Sequence, residues 1–534
     1  MTWAATSALL STRGAAAYAC NAVEGEGLGT LGAADLGPAL RRAFPDQRFV
    51  VVSNREPYEH VFEDGAHEIG VRRPAGGLVA ALDPLLQAVG GTWIAWGSGE
   101  ADAEVVDGQG RVRVPPEDPR YTLRRLWLNE QDIDHYYSGY ANQFLWPLCH
   151  LRPALTRTRY RYWHRYDAVN RRFADAVLEE VGNDDAAVWF QDYHLVTAPG
   201  YVRAVRPDLK LAHFWHIPFP PLEVFRIATQ GRALLEGLLA NDLIGFHLPL
   251  FCDNFLRSVE SVLELEVDWE QRAVRRENHT CYVRSFPISI DIEQYREHAR
   301  NVSDIRWQRM RQRYVPEDGM MGIGVDRVDY SKGLEEKLKT LDLLWQFHPE
   351  LRERFTFVQV AVESRTGIEA YDWLNEKIER LAWGINDRYG TDSWRPVHLV
   401  KESLPVERLA AFYRMADVCI VSSLQDGMNL VAKEFIACQT DDPGGVLVLS
   451  KFAGAAEELD GAVEVNPFDP EDFAHKLHGA LMMSPDERRE RLQRLQHSLR
   501  SIYDWMAEIF DVWGRVARGE LAPLSEADRW KRTR

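Results

Sequence analysis

Short runs of apolar, β-branched residues recur along most of this chain, and each is followed by a stretch with helical periodicity. The strand-type runs fall at 48–55, 92–96, 187–190, 209–215, 243–246, 320–325, 355–360, 397–400, 418–421 and 446–449. Strands separated by helices cannot pair through tight hairpins. The alternation therefore predicts an α/β chain with parallel sheets covered by helices on both faces.

At 534 residues the chain exceeds one ordinary core. The pattern predicts two Rossmann-like lobes, 48–290 and 291–500, meeting near Pro287 to Asp291, where a hinge is expected. Residues 1–47 are rich in Ala and Gly and read as a poorly ordered extension. No Lys or Arg precedes their weak apolar stretch, which argues against a secretory signal. Their Gly27-x-Gly29-x-x-Gly32 pattern has no strand before it and no convincing helix after it, so it reads as chance. Ser484-Pro485-Asp486-Glu487 has the form of a capping box and predicts a helix start. The stretch 501–518 carries Tyr503, Trp505, Phe510 and Trp513, so it must dock, and it is expected to cross back to the first lobe. Residues 519–534 read as a loose tail.

Apolar residues make up 46% and charged residues 27%, as in soluble globular proteins, and no apolar run approaches the ~18 residues of a membrane span. A net charge of −17 argues against nucleic acid as partner, so a phosphorylated ligand would need a local basic pocket. Six cysteines without a C-x-x-C pair fit reduced thiols in a cytoplasmic protein. No His/Cys ligand spacing, G-x-S-x-G elbow or P-loop is present, and Asp132-Ile133-Asp134 sits in a polar helical stretch. No metal and no cofactor are expected.

In open α/β sheets the ligand lies at the carboxyl ends of the strands. Residues placed there are Arg55, Asp192, His194, His216, the segment Arg327 to Lys332, Arg365 and Asp426. The most concentrated stretch is SSLQDGMNLVAKEFIAC, 422–438. Gly427 is expected to permit a sharp turn, and the amides of Met428, Asn429 and Leu430 open a helix whose dipole favours a phosphate. Glu434 lies one turn deeper, about 5–6 Å along the axis, a reach from diphosphate to ribose. The stretch reads either as a nucleotide-sugar grip or as an acidic strand-to-helix turn. Arg327 and Lys332 could neutralise a diphosphate or form a solvated basic pair with Asp326 or Asp329. His216 in HIPFPP is either held rigidly at the sheet mouth by its prolines or is a satisfied core histidine. The Gly76-Gly77 pair suits close backbone approach to a ligand, or a plain loop.

Together the motifs VVSNR (51–55), RPAGGL (73–78), YYSGYANQFLWP (136–147), WFQDYHL (189–195), HIPFPP (216–221), GVDRVDYSKG (324–333), ESRTGIEAY (363–371), DGMNLVAKEF (426–435) and VLSKFAGAAEEL (448–459) resemble the trehalose-6-phosphate synthase family, in family order, from about Phe49 to Trp513. The resemblance implies a retaining glycosyltransferase of family 20 with the GT-B fold, two Rossmann-like domains facing each other across a cleft. The first domain would hold the acceptor and the second the nucleotide-sugar donor. It implies that Arg55, Tyr137, Trp146 and Arg365 surround a sugar phosphate and that Asp192 holds acceptor hydroxyls. Gly77, Arg327 and Lys332 would contact the donor diphosphate, with Asp426, Gly427, Met428, Asn429 and Leu430 around sugar and phosphate. Glu434 would hold the ribose and His216 the donor glucose. The implied partners are a nucleoside diphosphate glucose and glucose 6-phosphate; the base of the nucleotide and the oligomeric state, homo-oligomer included, stay open. Two departures from the family pattern stand out: Gln425 in place of Arg before DGMNL, and the segment 56–60. They keep a sister activity in view, glucosylglycerol-phosphate synthesis from glycerol 3-phosphate. A sugar-phosphate sensor without turnover is a further alternative, which the presence of Arg327, Lys332 and Asp426 disfavours.

Overall fold

The computed structural model describes residues 31–63, 68–74, 77–365, 367–525 and 527–528. Two sheets organise it, a ten-stranded one from the first half and a six-stranded one from the second. The parallel centre of the first runs in space Tyr121–Leu126, Thr92–Trp96, Arg48–Arg55, Ala186–Gln191, Lys210–Phe214, Leu243–Phe246, Thr280–Ser285. Antiparallel strands Arg111–Val114 at one edge and Ala273–Arg275 with Val267–Asp268 at the other complete it. The second sheet is wholly parallel, in the order Val397–Val400, Phe355–Val362, Met320–Arg327, Val418–Val421, Val446–Ser450, Val463–Val465. Both parallel arrays grow outwards from their first strand and reverse direction beside it, and at such a switch point two neighbouring crossovers diverge and leave a crevice. Arg55 and Asp192 flank the switch point of the first sheet, Arg327 and Asp426 that of the second.

The strands expected from apolar runs are present, with ends differing by one or two residues. Strands such as Tyr121–Leu126 (YTLRRL) and Thr280–Ser285 (TCYVRS) carry arginines inside, which broke the apolar signal. Arg124 and Arg125 are nevertheless buried because each is ion-paired, to Glu179 and Glu180 and to Glu56 and Asp102 respectively. Helix Pro485–Ser498 starts where the capping pattern placed it, Ser484 Oγ accepting from the Glu487 amide at 3.3 Å.

Two expectations for the termini need correction. Residues Ala33–Ala43 form a helix rather than part of a loose extension, and it begins directly after Gly32, so a helix does follow the glycine pattern; Gly27 to Thr30 lie outside the described residues. Pro38 inside that helix masked it in the sequence, while Leu36, Ala39 and Leu40 on one face are buried. Residues 519–525 are not loose either. Buried Arg284 donates to the carbonyls of Ala522 and Pro523, both at 2.7 Å, and Ser285 Oγ donates to Asp528 Oδ1 at 2.7 Å.

The helix Ile502–Ala517 packs on the ten-stranded sheet. Trp505 lies 5.7 Å from Trp189 and 5.0 Å from Phe214, Phe510 meets Phe49 at 5.8 Å, and Trp513 meets Phe44 at 4.5 Å. Gly514 lets the helix Ala33–Ala43 come close, since a Cβ there would stand 2.7 Å from the Ala43 Cα. Among the described residues no helix is long and apolar enough to cross a membrane. Trp505 also donates its indole N–H to the Phe286 carbonyl at 3.1 Å. Trp505→Ala therefore opens a cavity and removes a hydrogen bond to a buried carbonyl, and is expected to cost roughly 3–5 kcal/mol. An unchanged thermal midpoint would show that this helix does not anchor the fold.

Candidate functional site

Between the two switch points lies a cluster of cations. Arg55, ending the first strand, donates to the Tyr137 hydroxyl at 3.0 Å. Tyr137 comes from Ile133–Leu145, which winds as a π-helix, a form associated with functional sites. That winding sends Tyr136 inward to donate to Asn54 Oδ1 at 2.7 Å, and it leads directly into Trp146. Arg365, in a left-handed conformation at φ 52°, lays its guanidinium 3.8 Å from the Trp146 ring centre, and the Arg327 guanidinium is 5.4 Å from the same ring. Burial would raise the Tyr137 phenol, yet Arg55, Arg365 and Arg327 together hold it below its ordinary value. An otherwise acidic chain thus concentrates positive charge at this one place.

Asp329 holds the cluster together. Its carboxylate is fully buried, 2.8 Å from Arg365 and within reach of the Tyr371 hydroxyl, and it accepts from Trp146 Nε1 at 3.4 Å and from the Ser331 amide at 2.9 Å. Burial opposes its charge, but Arg365 and Arg327 pull its pKa down to about 2. The Trp146 N–H, expected to face a phosphate, is thus directed at Asp329, and the ring serves as a platform for Arg365.

Asp192 follows the strand Ala186–Gln191 at φ 67°, and its Oδ1 accepts from the His216 amide at 3.2 Å. Burial pushes its carboxyl up to about 7, against the pull of the Tyr193 and His216 amides and of Arg365 and Arg327. His216 has Nε2 2.9 Å from Gln191 Oε1, while its carbonyl lies 3.1 Å from His247 Nε2. Burial, with His247 and His213 nearby, holds its ring well below the ordinary histidine range, so it is neutral.

Across from these, Lys332 Nζ lies 2.6 Å from Asp426 Oδ2, which also accepts from Ser423 Oγ at 3.0 Å and Asn429 Nδ2 at 3.1 Å. Burial would raise Asp426, but Lys332 and Asn429 hold it below the usual carboxylate range. Lys332 does not form the solvated pair with Asp326 or Asp329, which are engaged by Lys337 at 2.7 Å and Arg365 at 2.8 Å, while exposed Arg327 acts on Asp329 through its charge. Helix Leu430–Cys438 begins as expected, capped by Asn429, whose Oδ1 accepts from the Ala432 amide at 3.3 Å. The unusual backbone falls on Asn429, at φ 84°, and not on Gly427. Gly427 is required by space, because a Cβ would sit 2.8 Å from the His216 carbonyl of the other sheet. Glu434 is half-buried and accepts from the Tyr413 hydroxyl at 2.8 Å, with Tyr295 as a second partner; burial raises its carboxyl against both. It stands apart from the cationic cluster, one turn along the helix from Leu430.

Gly77 is the first residue of helix Gly77–Val89, and the preceding Ala75 and Gly76 lie outside the described residues. Gln425 is half-buried directly before Asp426. The unusual segment 56–60 turns inward: Glu56 pairs with Arg125 at 2.6 Å, His60 Nδ1 lies 2.8 Å from the same guanidinium, and the Tyr58 hydroxyl donates to Asp83. Asp132 is ion-paired with Arg165 and Arg172.

The structure thus joins Arg55, Tyr137, Trp146, Asp192, Arg327 and Arg365 in one cluster and Lys332, Asp426 and Asn429 in a second, with the His216 loop against Gly427 between them. Sequence reasoning gave no role to Tyr371, Gln191 and His247, and named Asp329 only as a possible partner of Arg327 or Lys332. Asp329 and Tyr371 stood inside recognised motifs, but only the fold shows which cation they serve.

The family model for glycosyltransferase family 20 matches residues 47–513. The chain belongs to that family. Family 20 relatives include a trehalose-6-phosphate synthase of Mycolicibacterium vanbaalenii, 37% identical over 91% of this chain and 98% of its own. The UDP-forming α,α-trehalose-phosphate synthase of Pichia angusta is 35% identical over 84% of this chain and 94% of its own. A solved E. coli structure with UDP-2-fluoro glucose bound superposes with a TM-score of 0.78 at 31% identity, covering 88% of this chain and 99% of that one. A UDP-forming α,α-trehalose-phosphate synthase from Burkholderia xenovorans in complex with glucose-6-phosphate does so at 0.76 and 30%, covering 88% and 100%. The fold is therefore the GT-B arrangement of the family.

The raised Asp192 carboxyl has a defined consequence for pH. The unfolded chain ionises this group near its ordinary value, so between roughly pH 4 and 7 only the folded state keeps the proton. Its contribution is greatest below that window and is lost as pH rises through it, by up to about 1.4 kcal/mol per unit. Asn tolerates the positive φ and keeps an acceptor for the His216 amide. Thermal midpoints should therefore show wild type losing ground to Asp192→Asn from pH 5 to 7 and no further above it. Parallel curves would refute the shift.

Proposed function

We propose that this chain is a retaining glucosyltransferase that moves glucose from UDP-glucose to glucose 6-phosphate, giving α,α-trehalose 6-phosphate. The reading is carried by one observation: within a family 20 framework, Arg55 at the first switch point meets Arg365 and Arg327 of the second sheet in one cationic cluster, and Lys332, held by Asp426, forms a second cationic group. Arg55 and Arg365 suit the phosphate of the acceptor, Arg327 and Lys332 the diphosphate of the donor. In the proposed roles Arg55, Arg365 and the Tyr137 hydroxyl hold the acceptor phosphate, Trp146 fixes Arg365 by stacking, and Asp192 receives acceptor hydroxyls. Gly77 and the amides of Gly427 to Leu430 lie along the donor phosphates, Glu434 accepts from the ribose, and neutral His216 meets the donor glucose.

Glucose leaves as the C–O bond to the diphosphate breaks, and the acceptor's anomeric hydroxyl attacks on the same face. The departing diphosphate oxygen takes the hydroxyl proton, so no protein nucleophile is called for. The protein's contribution is orientation, and charge stabilisation by Arg327 and by Lys332, which Asp426 holds in place. Lobes 48–290 and 291–500 are proposed to close about the segment 287–291, shielding the reaction from water, in a cytoplasmic setting.

Arg327→Ala and Lys332→Ala are each expected to lower kcat by about a hundredfold or more. Near-normal turnover in both would sink the assigned electrostatic role. Mass spectrometry of products from mixed glucose 6-phosphate and glycerol 3-phosphate tests the acceptor: a trehalose phosphate should dominate, and a glucosylglycerol phosphate as main product would overturn it.

A further inference from the structure

At the opposite end of the second sheet from the cleft, two helix ends bring together a donor set that the glucosyl transfer does not use. Helix Leu334–Phe347 starts beside Lys332 and runs away from the site for about 21 Å, ending on His348. Helix Pro470–Leu481 packs against it and carries His478 in its last turn. The connection after the first helix supplies Glu350, whose Oε1 stands 3.3 Å from His348 Nδ1 and 3.4 Å from His478 Nε2. All three ligand atoms lie within 4.8 Å of one another.

Two donor atoms bound to one tetrahedral zinc at ordinary lengths stand about 3.4 Å apart, and two edges of this triangle already have that value. The surroundings suit a cation independently of the side chains. His348 caps the carbonyl end of one helix, its amide donating to Leu344 O at 2.9 Å, and His478 lies at the carbonyl end of the other; helix carbonyl ends favour positive charge. A further imidazole, His475, sits one turn before His478 with its ring 5.8 Å from that of His348. Two or three imidazoles with a single carboxylate select a borderline transition ion over magnesium or calcium.

We propose that His348, Glu350 and His478 form a binding site for a divalent transition-metal ion of the zinc type, with His475 or water as fourth ligand, clipping the far ends of the two helices together. The His348 and His478 rings are stacked at 3.6 Å and 7°. Lone pairs lying in two parallel planes cannot meet at one ion, so loading turns one ring about its Cβ–Cγ bond; His478, the more exposed of the two, has room to do so. The sequence hid this site because His348-x-Glu350 and His475-x-x-His478 stand far apart in the chain, and neither pair matches a standard ligand motif.

The test uses the full chain, stripped with chelator and titrated with Co2+ and Zn2+. Wild type should take up one equivalent of Co2+, with the visible bands of a four-coordinate ion, and Zn2+ should raise its thermal midpoint. His348→Ala and His478→Ala should each weaken uptake at least tenfold and abolish the midpoint shift. Glu350→Gln, at an exposed position, should weaken it severalfold with no folding defect, and His164→Ala, at a distant exposed histidine, should leave it unchanged. Glucosyl transfer in all four variants should stay within twofold of wild type, showing that they fold. Absence of saturable uptake by wild type, or uptake unchanged in both His348→Ala and His478→Ala, would overturn the proposal.

Discussion

The buried carboxylate of Asp329 is the constraint on which the site depends. An acidic chain that must hold phosphates needs cations close together, and cations crowded in a half-dry crevice repel one another. Asp329 resolves this from below. It binds Arg365, accepts the Trp146 indole N–H from the first half of the chain, and caps the turn that carries Lys332. Because Trp146 is both its hydrogen-bond donor and the surface on which Arg365 stacks, one carboxylate fixes the orientation of a guanidinium and the approach of the two lobes together. Removing such a partner leaves an uncompensated buried charge, a larger loss than the pair itself contributes.

The second point of contact is steric. The His216 carbonyl leans over Gly427, and the Gly427 carbonyl in turn lies where a Cβ on Gly454 would be, at 2.1 Å. Three backbone segments are thus nested without side chains between them, which sets how near the donor turn stands to the acceptor lobe. Opposed charge and close backbone approach therefore act on the same distance, one by attraction and the other by a hard limit.

Much of this was legible in the residues. The parallel strands announced themselves as apolar runs because they are covered on both faces, and the strand-end rule then collected Arg55, Asp192, His216, Arg327, Arg365 and Asp426 without any coordinates. What the sequence concealed has a common cause: it depends on partners distant in the chain. Arg124 and Arg125 sit inside a strand because carboxylates elsewhere neutralise them. Residues 33–43 form a helix because helix Ile502–Ala517 gives their apolar face somewhere to go. Trp146 looked like a hydrogen-bond donor to ligand, and only the position of Asp329 shows that its N–H is already engaged.

The docking of helix Ile502–Ala517 bears on how the molecule is made. The strand that begins at Arg48 is synthesised early, but the tryptophans that cover its layer emerge about 460 residues later, a delay of roughly half a minute to a minute and a half at ordinary elongation rates. Phe44 and Phe49 lack their final cover throughout that interval, and Trp189 and Phe214 lack it from their own synthesis onwards. The first lobe therefore cannot complete its core until helix Ile502–Ala517 has been made.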